Sequence, residues 1–431
     1  MSSKDPAPLN GRIRYLWFTV LWAVFTLPFL SRLVLGQTSH DVELYWVGGS
    51  AVLQGARIYT DVVFEYPPYA LLWFVGPAAV SGNLAEFRVV FGLLIWAIDA
   101  AVKGYLLWQA LVSGRRVRDF LPFALYISGT AALGHFLLQR YDVIPAALSM
   151  AALLWLVRGW PATAGAVIAL AIGAKVYPVL YVPVMAVYAA RRSRSDVLRF
   201  AVAGAITLLP LLIAVWWMPW WRFATFHAGR GLQVESAWAS VVWMLHFAGV
   251  PARWEFITAW NEVTGPVAER LVGPATTIWV AATGLSLWRA VMAARRLFSS
   301  ASDTRTRSIG DTRLASGESV SSLALLMLMP VLSFVAFSPV LSPQFHLWLL
   351  PWCALGLVSK NLPALDASLA RRAIWCIFLA TLIVPVFYPS KTYTHGLDIG
   401  RTAALVFRNG LLIYAAACLW VSAGRRQATL S

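Results

Sequence analysis

The sequence predicts an all-α polytopic membrane protein, a bundle of about twelve spanning helices. Three observations carry the prediction. Hydrophobic residues make up 59% of the 431 positions and charged residues only 13%, against an apolar share of roughly 45–50% in soluble domains. Apolar runs of about twenty residues, the length that crosses a bilayer core, recur along the chain. Thirty-five Lys and Arg stand against nineteen Asp and Glu, a net charge of +16. These basic residues fall in short clusters between the apolar runs, a pattern that reads as membrane topology and not as a nucleic-acid footprint.

By the positive-inside rule each cluster marks a cytoplasmic loop: Arg12/Arg14, Arg115/Arg116/Arg118, Arg158, Arg191/Arg192/Arg194, Arg295/Arg296 through Arg313, Lys360 with Arg371/Arg372, and Arg425/Arg426. The spans are then 15–35, 87–111, 119–137, 142–157, 160–174, 176–190, 197–218, 270–293, 319–337, 343–358, 371–388 and 402–423, with both termini cytoplasmic. The run from Tyr15 follows basic residues but is too long for a signal-peptide core, so it is expected to be retained. Counting Tyr69–Val80 as a span would move the Arg115 cluster outside. It is therefore expected to be a short re-entrant or interfacial helix bordering a cavity, where non-spanning backbone can be satisfied.

One membrane domain, 1–431, follows. Its first long extracytoplasmic loop (36–86) carries short helices, a second long one covers 219–269, and 294–318 is a flexible cytoplasmic loop rich in Ser, Thr, Arg and Gly. Trp216, Trp217, Trp220 and Trp221 mark an interfacial belt. Cys353, Cys376 and Cys418 lie in apolar runs without metal or redox spacing and read as core residues. Walker, HExxH, GxSxG and CxxC patterns are absent from the sequence, so ATP-driven transport, zinc hydrolysis and serine hydrolysis have no support, and no residue is assigned to a cofactor or a metal.

The candidate chemistry sits in the outer loops. In Ser39-His40-Asp41-Val42-Glu43-Leu44-Tyr45, helical spacing puts Asp41, Tyr45 and Gly48 or Gly49 on one face, the small residues permitting close approach of another element. Asp41 suits a general base at a cavity mouth; Asp41 or Glu43 equally suits a helix cap. Glu65, before Tyr66-Pro67-Pro68, reads as a helix-dipole partner. Outside cations need a reason, because they oppose the topology rule. Arg140, Lys175, Arg230, Gln344 and His346 would form a phosphate-binding pocket at headgroup depth if they converge, with Glu43, Tyr45, Tyr66, His227 and Glu235 as supporting residues. Snorkelling of Lys175 and Arg140 to ordinary lipid headgroups is the competing reading. Asp99 and Lys103, one helical turn apart in mid-span, read as a structural pair.

Taken in order, Asp41 to Tyr45, Gly55 to Tyr59, Glu65-Tyr66-Pro67-Pro68, Arg140-Tyr141-Asp142, Ala174 to Pro178, Arg230 to Ser236 and Ser342 to His346 resemble the polytopic glycosyltransferases of the GT-C type. Within them, the set is most similar to glycosyltransferase family 87. The resemblance covers most of the membrane domain. It implies a GT-C-like bundle and a mannosyltransferase-like enzyme of the bacterial cytoplasmic membrane, with its active site facing outside. Such an enzyme transfers a sugar with inversion from a polyprenyl-phosphate donor to a lipid-linked or glycolipid acceptor. It maps the base onto Asp41, with Glu43 beside it as the other carboxylate. Arabinofuranosyl transfer on the same fold is one alternative. A transporter or flippase of a lipid-linked sugar is another, ranked lower because the polar residues keep to one face and no matching halves are visible.

Overall fold

The computed structural model describes residues 11–31, 33, 39–113, 116–257, 260–299, 312–359, 361–362, 365–387 and 398–424. In chain order the helices are α1 (Gly11–Thr26), α2 (His40–Leu53), α3 (Leu71–Ala79), α4 (Leu84–Ser113), α5 (Leu121–Ala132), α6 (His135–Leu138), α7 (Val143–Val157), α8 (Pro161–Ala174), α9 (Val182–Arg192), α10 (Arg194–Ala214) and α11 (Arg222–Ala228). They continue with α12 (Ala237–Phe247), α13 (Pro266–Ser299), α14 (Thr312–Phe337), α15 (His346–Gly356), α16 (Ala367–Ile383) and α17 (Ile399–Ser422). Strands β1 (Leu232–Gln233), β2 (Arg253–Ile257) and β3 (Trp260–Thr264) form one antiparallel sheet in the order β1-β3-β2.

The fold is thus the all-α polytopic bundle that the composition dictates. Among the described residues seven helical stretches are both long and apolar enough to cross a bilayer: 11–30, 84–113, 194–214, 266–297, 319–337, 367–386 and 399–422. The other expected spans are shorter or broken. The stretch 119–137 divides at Gly134, whose φ of 59° ends α5 before α6. In 176–190 a 3₁₀ turn over Tyr177–Tyr181 precedes α9, with Pro178 at its start. The stretch 343–358 opens with a 3₁₀ turn over Pro343–Phe345 before α15. The expected cytoplasmic loop at 294–318 is partly helical, because α13 runs to Ser299 and α14 begins at Thr312; residues 300–311 lie outside the described set, as do the ends of spans 15–35 and 371–388.

α3 has nine residues and contains Pro77. At about 1.5 Å per residue it covers less than half of the roughly 30 Å hydrocarbon core, so it cannot span. It packs on α2 at the small residues singled out in the sequence. A Cβ on Gly49 would lie 2.7 Å from the Phe74 carbonyl oxygen, and one on Gly48 would lie 2.7 Å from the Phe64 ring. Tyr45 on the same face stacks on Phe74, with centroids 4.4 Å apart.

The second long loop, for which the sequence offers only bounds, carries regular structure. The sheet, α12 and the first turns of α13 enclose a small core of their own, with Leu232, Val234, Trp243, Val263 and Ala268 packed against Leu405 of α17. A buried ion pair fixes it to the bundle. Arg408 of α17, fully buried, donates to the Glu235 carboxylate at 2.6 Å and to the Glu235 carbonyl at 2.6 Å. Asn409 adds bonds to the same carbonyl and to Ser240. Asp99 and Lys103 form the local pair that their spacing predicts, 2.5 Å apart within α4 and both buried. The three cysteines are free thiols, Cys353 and Cys418 buried and Cys376 half-buried.

Candidate active site

Asp41 lies in the first turn of α2, whose N-cap is Ser39. Two consecutive residues between α6 and α7 grip this turn. Gln139 accepts from the Ser39 amide at 2.8 Å, and Arg140 Nη1 pairs with Asp41 Oδ1. The Tyr66 hydroxyl donates to the same oxygen at 3.4 Å. Tyr66 is itself held by the first loop, since the Tyr59 hydroxyl donates to its carbonyl at 2.5 Å. Tyr59 adopts a left-handed φ of 69°, a costly conformation for an aromatic residue. Its carbonyl accepts from Arg222 Nη1 of α11 at 2.9 Å.

Lys175 follows directly on α8. The helix ends at Ala174, Lys175 is extended, and the 3₁₀ turn carrying Pro178 begins at once, so the chain reverses between two helices with the ammonium at the corner. Lys175 Nζ donates to Asp142 Oδ1 at 2.6 Å, and the Trp348 indole of α15 donates to that oxygen at 2.7 Å. Trp348 is sandwiched between Phe345 and Tyr177, at centroid distances of 4.0 and 4.1 Å. Its aromatic face, with that of Tyr141, lies 4.7–5.2 Å from the ammonium, within cation–π range.

Arg230 is positioned by the second loop. Its guanidinium sits 3.8 Å above the Trp260 ring of β3, and Nη2 pairs with Glu65 Oε2 at 3.3 Å. The adjacent Gly231 amide donates to Glu262 at 2.8 Å. His227, at the end of α11, bonds the Glu65 carbonyl at 2.9 Å. Glu65 is therefore more than a helix-dipole partner, because it ties the first loop to the second.

These three groups share one electrostatic neighbourhood. Burial lowers the Lys175 pKa below the ordinary lysine value; Asp142 and Glu65 oppose that shift while Arg140 adds to it. Burial also pushes Arg140 down to about 10, against the pull of Asp142, so it remains a cation at neutral pH. Arg230 is lowered by burial and supported by Glu65. His227 is pushed down to about 4, first by burial and then by Arg230 and Lys175, which leaves it neutral at pH 7. Among the described residues no three His, Cys, Asp or Glu side chains gather as a metal-ligand set.

The predicted residues thus divide into two groups. Asp41, Arg140, Lys175, Arg230, Tyr66 and His227 converge, and Tyr45 lies beneath Tyr66, 5.5 Å from it. Glu43 has a different partner: it is half exposed and pairs with His40 at 3.2 Å. Glu235 belongs to the Arg408 cluster. His346 is fully buried, its Nδ1 2.9 Å from the Thr381 hydroxyl of α16. Among the described residues the Gln344 oxygen and His346 Nε2, both buried, have no hydrogen-bond partner. Asp142 and Trp348 were missed as functional candidates. An Asp two residues after an outer Arg and just before an apolar run, which is where Asp142 stands, is the signal that could have flagged the first.

Fold and site describe a multi-pass membrane protein whose ionic chemistry is collected where its first loop, its second loop and two helix junctions meet. The profile of glycosyltransferase family 87 matches residues 64–327, more than half of the chain. The protein belongs to that family and is a membrane glycosyltransferase. The matched stretch includes Arg140, Asp142, Lys175 and Arg230, while Asp41, Gln344 and His346 fall outside it. No curated protein matches the chain.

Proposed function

We propose that this glycosyltransferase moves a sugar, mannose in particular, from a polyprenyl-phosphate donor to a lipid-linked or glycolipid acceptor at the outer face of the bacterial cytoplasmic membrane. The observation that carries the reading is the gathering of three cations from separate segments: Arg140 and Arg230 pair with Asp41 and Glu65 of the first loop, and Lys175, paired with Asp142, feels both Arg140 and Glu65. Snorkelling to bulk headgroups does not call for such convergence. The largely buried cations suit a lipid phosphate held at the bilayer rim.

In the reaction an acceptor hydroxyl oxygen attacks the anomeric carbon as the bond from that carbon to the phosphate oxygen breaks. Asp41 takes the hydroxyl proton, and the departing electron pair stays on the phosphate, where Lys175 and the two arginines stabilise it. Attack opposite the leaving group inverts the anomeric centre. Phosphate leaves as a stable anion, so no carboxylic acid is required to protonate it, unlike in glycoside hydrolysis. Neutral His227 and Tyr66 supply hydrogen bonds without adding charge.

The test is incubation of the purified protein with polyprenyl-phosphate-mannose and a membrane lipid extract, with mass analysis of the products. A glycolipid heavier by one hexose is expected. Formation of product only from a nucleotide sugar, or only from a polyprenyl-phosphate pentose, would replace the donor assignment.

A further inference from the structure

The cations of this site are not idle. Arg140 is paired with Asp41, Lys175 with Asp142 and Arg230 with Glu65, so each of these three cations already has a carboxylate partner. An anionic donor entering such a site competes with the carboxylates for these cations. The three pairs differ in how readily they yield. Asp142 is 1% exposed and fastened by Trp348 as well as by Lys175, so stripping Lys175 from it would strand a buried carboxylate. Arg230 is anchored independently by stacking on Trp260. Asp41 is the most exposed of the three carboxylates, at 22%, and it keeps the Tyr66 hydroxyl if Arg140 leaves.

Resting on the donor reading above, we infer that Arg140 is an exchanging residue. In this structure it is paired with Asp41; on arrival of the lipid phosphate it swings to the phosphate oxygens and leaves Asp41, still oriented by Tyr66, to receive the acceptor proton. A carboxylate beside a guanidinium is a weaker base than one that is not, so the exchange makes the base competent only when a donor is present. It imposes an order, donor before acceptor. Arg140 acts here as a positioning residue for Asp41 and a ligand for phosphate in turn. No covalent change accompanies the exchange.

The competition predicts an unusual sign. Neutralising the proposed base should tighten donor-phosphate binding, because Arg140 is then already released. The probe is farnesyl phosphate, titrated into the purified protein in detergent by calorimetry. Asp41→Asn is expected to bind about tenfold more tightly than wild type, the equivalent of one lost charge-assisted competition. Arg140→Gln should bind more weakly, and Asp41→Asn combined with Arg140→Gln should lose the gain. Asp41→Ser serves as a second neutral replacement, so that a folding defect in one variant does not decide the matter. Equal or weaker binding by both Asp41 variants, with wild type still binding, overturns the exchange while leaving the donor reading intact. Failure of wild type and variants alike to bind any prenyl phosphate removes the donor reading and the exchange with it.

Discussion

Changing Asp142 to Asn probes the site through a residue that touches no reacting atom. One oxygen of Asp142 accepts from Lys175 at 2.6 Å and from Trp348 at 2.7 Å, and the side chain is buried. An amide keeps the acceptor and loses the charge, so these bonds fall from the charge-assisted range, about 1.5–3 kcal/mol, toward the neutral one, about 0.5–1.5 kcal/mol. A loss of about 1–2 kcal/mol in stability follows for the pair. The sharper readout is pH. Burial already holds the Lys175 pKa down and Asp142 is the largest of the effects that raise it, so removing that charge lowers it further. Lys175 must be protonated to hold phosphate, and the neutral form therefore takes over at a lower pH in the variant. Measured as kcat/KM for transfer from about pH 6 to 10, the basic limb of the profile should move toward neutrality. On its shoulder the rate constant should fall about five- to tenfold, the effect of about 1–1.4 kcal/mol at the transition state. A profile that superimposes on wild type, with unchanged kcat/KM at alkaline pH, would refute the role given to the Asp142–Lys175 pair.

Other parts of the structure give independent expectations. Arg408→Leu strands the Glu235 carboxylate in the seam between the second loop and α17; thermal unfolding in detergent should show a loss of about 3–5 kcal/mol, the usual effect of removing one partner of a buried pair. Gly49→Ala drives a methyl group against the Phe74 carbonyl and should cost about 1–3 kcal/mol as overpacking, lowering turnover because α2 carries Asp41. Gly76→Ala on α3 meets no atom within 4 Å, and unfolding midpoints should place it at or above wild type through helix propensity. For His227 the folded pKa, about 4, lies below the unfolded value of about 6.5. The unfolded chain therefore binds more protons between these limits, and the stability held above about pH 6.5 is lost as pH falls toward 4. His227→Gln should flatten the acid side of the stability curve; an unaltered slope would show that other groups set it.

Much of this was legible in the chain. The bundle follows from composition and from the length of apolar runs, because a bilayer admits little else. Asp41, Arg140, Lys175 and Arg230 stand out because charges at span ends need partners, and Tyr45, Gly48 and Gly49 because their spacing forms one packed face. What escaped depends on contacts between distant segments. The strands at 253–264 bury little of β2, so no alternation marks them, and α12, with eleven residues, is too short to register as a span. Arg408 in mid-span carried a signal that intramembrane charge always carries, yet its partner lies 173 residues away in sequence. Glu43 and His346 look like site residues by position, but the turn of α2 sends Glu43 to the surface and the face of α15 that holds His346 packs on α16.

Single-turnover transfer from polyprenyl-phosphate-mannose by Asp41→Asn bears most directly on the chemistry proposed for this end of the bundle. A general base contributes about 10²–10⁴ in rate, so the account predicts that product formation falls by at least about a hundredfold while the variant stays folded and continues to bind prenyl phosphate. Transfer at the wild-type rate by that variant would contradict it.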